Sequence, residues 1–164
     1  MFTGKWIKPG EPIDEALGVR RSVFACELGQ PADAEPDALD AMSWQAVVLE
    51  GAQPIATGRI YWAEGAFCID RVCVLAAMRG QGYGDLVMRL LLYKALDHGA
   101  RSVLCEAPAA AAGFCARYGF APVQGMPGAP DAALRMHATA EDLRLESACA
   151  KAAALNDAAP GSGG

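Results

Sequence analysis

Residues 69–99 read IDRVCVLAAMRGQGYGDLVMRLLLYKALDHG, an order of strand, glycine-studded turn and long helix that decides the fold. Val72, Cys73, Val74 and Leu75 form a short apolar run with β-branched members, which suits a buried strand. Arg79-Gly80-Gln81-Gly82-Tyr83-Gly84 then places three glycines in a turn where backbone can approach a ligand without a Cβ in the way. From Asp85 onward the polar residues (Asp85, Arg89, Lys94, Asp97) fall on one stripe, leaving Leu86, Val87, Leu90 and Leu91 elsewhere. That pattern predicts a mostly buried helix with a narrow wet face, stopped at His98-Gly99. A helix N-terminus with free amides and an arginine beside it is an anion site, most often for phosphate.

Three phosphate-binding patterns compete for this turn. The P-loop needs GxxxxGK followed by Ser or Thr, and neither the spacing nor the lysine is present. The dinucleotide fingerprint GxGxxG fits Gly80 and Gly82, and Glu106 stands about where a ribose-binding acid would. Its third position is Asp85, however, and four residues separate the strand from the first glycine, where a dinucleotide turn follows its strand almost directly. The acyl-CoA pyrophosphate loop, Arg/Gln-x-x-Gly-x-Gly/Ala, is matched in full by Arg79, Gly82 and Gly84. With RYGF at 117–120, the block from Val72 to Phe120 resembles the GNAT superfamily of acyl-CoA-dependent N-acyltransferases. More loosely, VRRSVFACELGQP at 19–31 and PIATGRI at 54–60 make Val19 to Met136 similar to its ElaA-like branch.

A chain of 164 residues with 53% hydrophobic content has room for one domain with a real core. A net charge of −5 and no basic run argue against a nucleic-acid surface. The apolar stretch Leu86–Leu96 is interrupted by Arg89 and Lys94 and is too short to span a bilayer. No signal-peptide core opens the chain, so a cytoplasmic protein is expected. The six cysteines form no CxxC pair and four lie in apolar runs, which reads as reduced core thiols. His98 and His137 are the only imidazoles and neither is near a cysteine pair, so no metal is expected.

In chain order, the pattern predicts a strand over Phe2–Lys8 and helical spacing over Glu11–Glu27, with Gly18 a possible break into two helices. Gln30–Asp40 reads as a surface loop with a helical turn. Its acids Asp33, Glu35, Asp37 and Asp40 are either solvated or a negative rim that attracts an amine. Ser43–Glu50, Pro54–Ala63 and Ala66–Leu75 form an antiparallel meander that feeds the glycine turn. Beyond the long helix come a strand at Ser102–Glu106, a helix at Ala109–Tyr118, and strands at Phe120–Val123 and Asp131–His137. An α/β (α+β) fold follows, a mixed and mostly antiparallel sheet with helices on both faces, as the resemblance also implies. Residues 1–138 make one acyltransferase-like domain. Thr139 to Asp142 has capping-box spacing and predicts a helix over 139–155, with a disordered tail at 156–164.

The resemblance implies acetyl-CoA or another acyl-CoA as cosubstrate and an amine acceptor, in a monomer or homodimer. The backbone of Val72, Cys73 and Val74 would bind pantetheine and thioester, and Arg79 to Gly84 the pyrophosphate. The proton donor to the leaving thiolate is commonly a tyrosine in Phe-Tyr-x-x-x-Gly-Phe, but here Phe114-Cys115-Ala116-Arg117-Tyr118-Gly119-Phe120 puts Cys115 there. Pro108 stands where Asn or Gln often contacts the cofactor, and Gln45 and Ala133 where the ElaA-like branch tends to have histidines. Cys115 is a packing residue, the thiolate's acid, or an acyl-accepting nucleophile, the last lacking a histidine nearby in sequence. Tyr118 is a fallback acid. Glu27, Asp70 and Glu106 are the candidate bases, and Trp44, Tyr61 and Trp62 candidate linings of the acceptor groove, though strand aromatics are more often core. The leading expectation is an N-acetyltransferase acting on a small-molecule or protein amine. The departures at Cys115, Pro108, Gln45 and Ala133 favour the alternative, a catalytically weak acyl-CoA-binding sensor or partner module.

Overall fold

The computed structural model describes residues 1–123 and 133–145. Strand β2 (Trp44–Glu50) is buried on both faces, and its alternation assigns the layers. Val47 and Leu49 join Ile7 and Ala16 on one side, while Ala46 and Val48 face the cluster built by the long helix on the other. Strands β1 (Phe2–Ile7), β2, β3 (Gln53–Ala63) and β4 (Ala66–Val74) pair antiparallel in succession. The β3–β4 turn has Glu64 and Gly65 both at positive φ (54° and 77°), the requirement of a two-residue type I′ hairpin.

Helix α2 (Tyr83–Asp97) packs on β3 with Val87, Leu91 and Leu92 fully enclosed. It returns the chain to β5 (Ser102–Pro108), parallel to β4, and β7 (Ala133–Thr139) then pairs antiparallel with β5 and with the short β6 (Ala121–Pro122). The sheet order is β1-β2-β3-β4-β5-β7-β6.

Several expectations need correction. The segment Glu11–Glu27 is not split at Gly18: α1 (Asp14–Arg20) runs straight into a π-helical stretch, Arg21–Glu27, marked by bonds such as Leu28 N–H to Val23 O at 3.0 Å. Gly18 has open space around it, so it costs only its propensity of ~1 kcal/mol, outweighed by burial of Ala16, Leu17 and Val19. The acidic loop is neither solvated nor a rim throughout. Glu35 and Asp40 are 4% and 6% exposed and ion-paired with Arg20, which is itself fully enclosed. The expected helix at Ala109–Tyr118 is a 3₁₀ turn at Ala109–Ala111 followed by α3 (Ala112–Ala116). No helix starts at Thr139. One half of the capping box does form, Asp142 N–H donating to Thr139 Oγ1 at 3.3 Å, but together with the bond from Thr139 Oγ1 to Asp142 Oδ2 (2.8 Å) it closes a turn after β7. The remainder of that expected helix and the expected tail lie outside the described residues.

Candidate active site

β4 and β5 pair only from Phe67–Ile69 against Val103–Cys105. Beyond Ile69, β4 continues along β3 while β5 continues along β7, so the two parallel strands part. Two cavities open in the gap. The larger, about 760 Å³, runs past Val72–Val74 to the glycine turn. The smaller, about 450 Å³, holds Asp37, Arg59, Tyr61, Asp70, Arg71 and Glu106. Phe24, Leu28, Val72, Pro108, Ala111 and Phe114 line both. Each lies in the size range of small-molecule sites.

The larger cavity ends at the N-terminus of α2. Gly82 has φ +90°, a conformation that costs other residues dearly, and its carbonyl accepts the first helical bond, from Leu86 N–H at 3.1 Å. The first-turn amides of α2 have no intrahelical partner. Gly80, Gly82, Tyr83 and Gly84 line the cavity, whereas Gln81 is exposed and outside its lining. Tyr83 is buried, its ring 4.8 Å from that of Phe2. Val72, Cys73 and Val74 all contribute to the cavity lining, and burial pushes the Cys73 thiol up to about 12.

Arg79 is held at this end by its Nε–H to Val74 O (3.0 Å) and by both terminal nitrogens on the Glu27 carboxylate, one at 2.6 Å. The bonds from Arg79 hold the Glu27 carboxyl below its ordinary range. Glu27 lines the larger cavity and not the smaller, so it stands apart from the other base candidates. Asp70 and Glu106 both line the smaller one. Asp70 accepts two bonds from Arg59, at 2.5 and 2.9 Å.

Beneath the smaller cavity is a buried charge network that sequence alone did not reveal. Arg59, 1% exposed, also donates to Asp37 at 2.6 and 2.9 Å and to Asp40 at 3.1 Å. Burial would raise the Asp40 carboxyl, but bonds from Arg20 and from Asp37 N–H hold it well below the usual carboxylate range. Gln45 donates to Asp40 Oδ1 at 3.0 Å and lines neither cavity. The available signal was a charge inside an apolar strand, at Arg59 in PIATGRI and at Arg71 in DRVCV.

Cys115 is 1% exposed and lines the smaller cavity, its Sγ 3.8 Å from Cys105 Sγ. Sharing that hydrogen bond raises the Cys105 thiol's pKa and lowers that of Cys115. Tyr118 lines neither cavity. Its hydroxyl donates to Asp85 Oδ1 at 2.5 Å, and burial together with that carboxylate raises its pKa. Pro108, last residue of β5, stands where the cavities meet and pairs in register with Ala133. Of the strand aromatics, Tyr61 lines the smaller cavity; Trp44 packs against Trp6 and Trp62 against Phe67 on other parts of the sheet.

A sheet parted between β4 and β5, with a glycine turn feeding a helix N-terminus beside the gap, defines an acyl-CoA N-acyltransferase fold. Residues 43–122 match the Acetyltransferase (GNAT) domain. The uncharacterized N-acetyltransferase YjcF of Bacillus subtilis is 34% identical over 113 residues, 69% of this chain and 81% of that protein. The chain belongs to the GNAT acetyltransferase family. Escherichia coli ElaA superposes with a TM-score of 0.74 at 22% identity, over 84% of this chain and 99% of that one. An acyl-CoA N-acyltransferase from Pseudomonas aeruginosa does so with a TM-score of 0.74 at 24% identity, again over 84% and 99%. These two likenesses are of fold. The expected mixed, mostly antiparallel sheet flanked by helices is the one observed. Among the described residues no helix is long and apolar enough to cross a membrane.

Proposed function

We propose that the protein transfers an acetyl group from acetyl-CoA to a primary amine, with the cofactor in the larger cavity and the acceptor in the smaller. One observation carries this reading: the two cavities meet at Val72, in the gap between β4 and β5. On the β5 side, β4 has no strand partner past Ile69, so its main-chain groups are available to the amides of pantetheine and to the thioester carbonyl. The α2 amides and Arg79 receive pyrophosphate, which requires Glu27 to give up its hold on Arg79.

In the smaller cavity the amine must arrive neutral or lose its proton there. Asp70 is committed to Arg59, which leaves Glu106 as the base, directly or through a water. As the tetrahedral adduct collapses, the sulfur leaves as a thiolate and takes a proton. Cys115 is the better placed donor: it lines the cavity and its hydrogen bond with Cys105 lowers its pKa, while Tyr118 lies outside both cavities with its pKa raised. Free-thiol release from acetyl-CoA over a panel of primary amines tests the reading. Amine-dependent release supports it; acetyl-CoA binding with no release from any amine would instead leave the non-catalytic acyl-CoA-binding module.

A further inference from the structure

The smaller cavity contains an arginine whose backbone and partners are both unusual. Thr57 pairs with Cys73 and Arg59 with Asp70, so Gly58 alone faces Arg71 and Val72, which is a β-bulge in β4. Within it Arg71 has φ +53°, a conformation that a bulky side chain adopts only when its surroundings impose it. The bulge places the Arg71 side chain in the cavity wall directly beside Val72, where the cavities meet.

Its charge is less engaged than that of the two arginines next to it. Arg20 is fully enclosed and donates to Asp40 and Glu35; Arg59 is gripped by Asp37, Asp40 and Asp70. Arg71 keeps 27% of its side chain exposed. Its Nε lies 2.9 Å from Glu35 Oε1, at an angle that makes no hydrogen bond, and its nearest terminal nitrogen is 3.8 Å from Asp37 Oδ2. The guanidinium rests 5.4 Å over the Phe24 ring, which fixes its plane. Among the described residues neither terminal nitrogen donates a hydrogen bond. A planar pair of free N–H groups on an oriented guanidinium is a carboxylate receptor. The Glu106 carboxylate lines the same cavity and suits the ammonium form of an amine.

We infer that the acceptor is an amino-carboxylate, a primary amine bearing a carboxylate that Arg71 holds while the amine faces the thioester. This rests on the acyl-transfer reading above and names the substrate class of that site. The bulge thus serves twice, presenting Val72 to the cofactor and Arg71 to the acceptor.

The test is acetyl-CoA turnover of matched pairs, α- and ω-amino acids against their own carboxamides, with a diamine as a third class. Wild type should show a KM about ten- to a hundredfold lower for the acid of at least one pair, the range of a charge-assisted bidentate contact. Arg71→Met should bring that ratio close to one, and Arg71→Lys should recover part of it as a point charge. Removing Arg71 does not orphan Glu35, which keeps Arg20. A wild-type ratio near one, a ratio unchanged in Arg71→Met, or preference for the diamine overturns the inference. Failure of the underlying reading looks different: no thiol release with any amine. In that case the melting shift of the acids against the carboxamides, with acetyl-CoA present, decides. A shift specific to the acids and lost in Arg71→Met sustains the Arg71 site, and equal shifts overturn it.

Discussion

Gly58→Ala is the substitution whose cost the structure fixes most directly. A Cβ at that position would lie 2.8 Å from Leu91 Cδ1, 2.8 Å from Val87 Cγ1 and 3.0 Å from Val72 Cγ2. Val87 and Leu91 are fully enclosed between α2 and the sheet, so neither can swing into solvent. Relief has to come from lifting α2 or pushing Val72 toward the cavities. Overpacking of this kind costs about 1–3 kcal/mol, against about 0.4–1 kcal/mol gained by stiffening the unfolded chain. A net loss of roughly 1–2 kcal/mol corresponds to a fall in Tm of about 2–8 °C for a domain of this size. Circular dichroism melting reads the fall. Acetyl-CoA added to the same samples should stabilise the variant less than wild type, because Val72 lines both cavities. A variant that melts at or above the wild-type temperature would refute this reasoning, since α2 would then not seat against the bulge as described.

Three further outcomes are expected. Gly82→Val, strained at φ +90°, should melt lower than wild type by itself, so the diagnostic quantity is the acetyl-CoA-induced shift, which should vanish; a retained shift removes the helix terminus from the cofactor site. Cys115→Ala and Cys115→Ser should both lower kcat by about 10²–10⁴ with acetyl-CoA binding intact, whereas near-normal rates with a loss of at most roughly 1–2 kcal/mol would make the thiol a packing group. Because the Asp40 carboxyl is held below its unfolded value of about 3.9, its contribution is present above that pH and is lost as pH falls further. Asp40→Asn should cost roughly 3–5 kcal/mol at neutral pH and flatten the acid limb of stability, and an acid limb identical to wild type would show that Asp40 does not carry it.

The glycine turn and the helix behind it were legible because their signals are local. A glycine at positive φ, an arginine three residues before it and an apolar helix behind it all lie within Arg79–Leu91. The smaller cavity and the charge network beneath it were not, because their contacts join residues 11 to 22 apart on different elements: Arg20 with Asp40, Arg59 with Asp37 and Asp70. Of the four acids that read as surface loop, Glu35, Asp37 and Asp40 therefore turn out buried or half-buried, and Asp33 alone is exposed. Gly58 carries no turn signature at all. Only the packing of Val87 and Leu91 above it and the bulge opposite explain why that position is a glycine. Glu27 was grouped with the base candidates by residue type, and its distance in space from Asp70 and Glu106 depends on where the π-helical turn points it.

That π-helical segment ties the two ends together. It carries Glu27 onto Arg79 beside the glycine turn, while Phe24, three residues earlier, lines both cavities and lies beneath the Arg71 guanidinium. A carboxylate and a pyrophosphate compete for one guanidinium, so on the proposed reading acetyl-CoA binding must displace Glu27. Release of that anchor acts on the same turn that positions Phe24, and through it on the plane of Arg71. Occupancy of the larger cavity and the shape of the smaller are then coupled by a short piece of helix whose i+5 bonds, such as Leu28 to Val23, are already irregular.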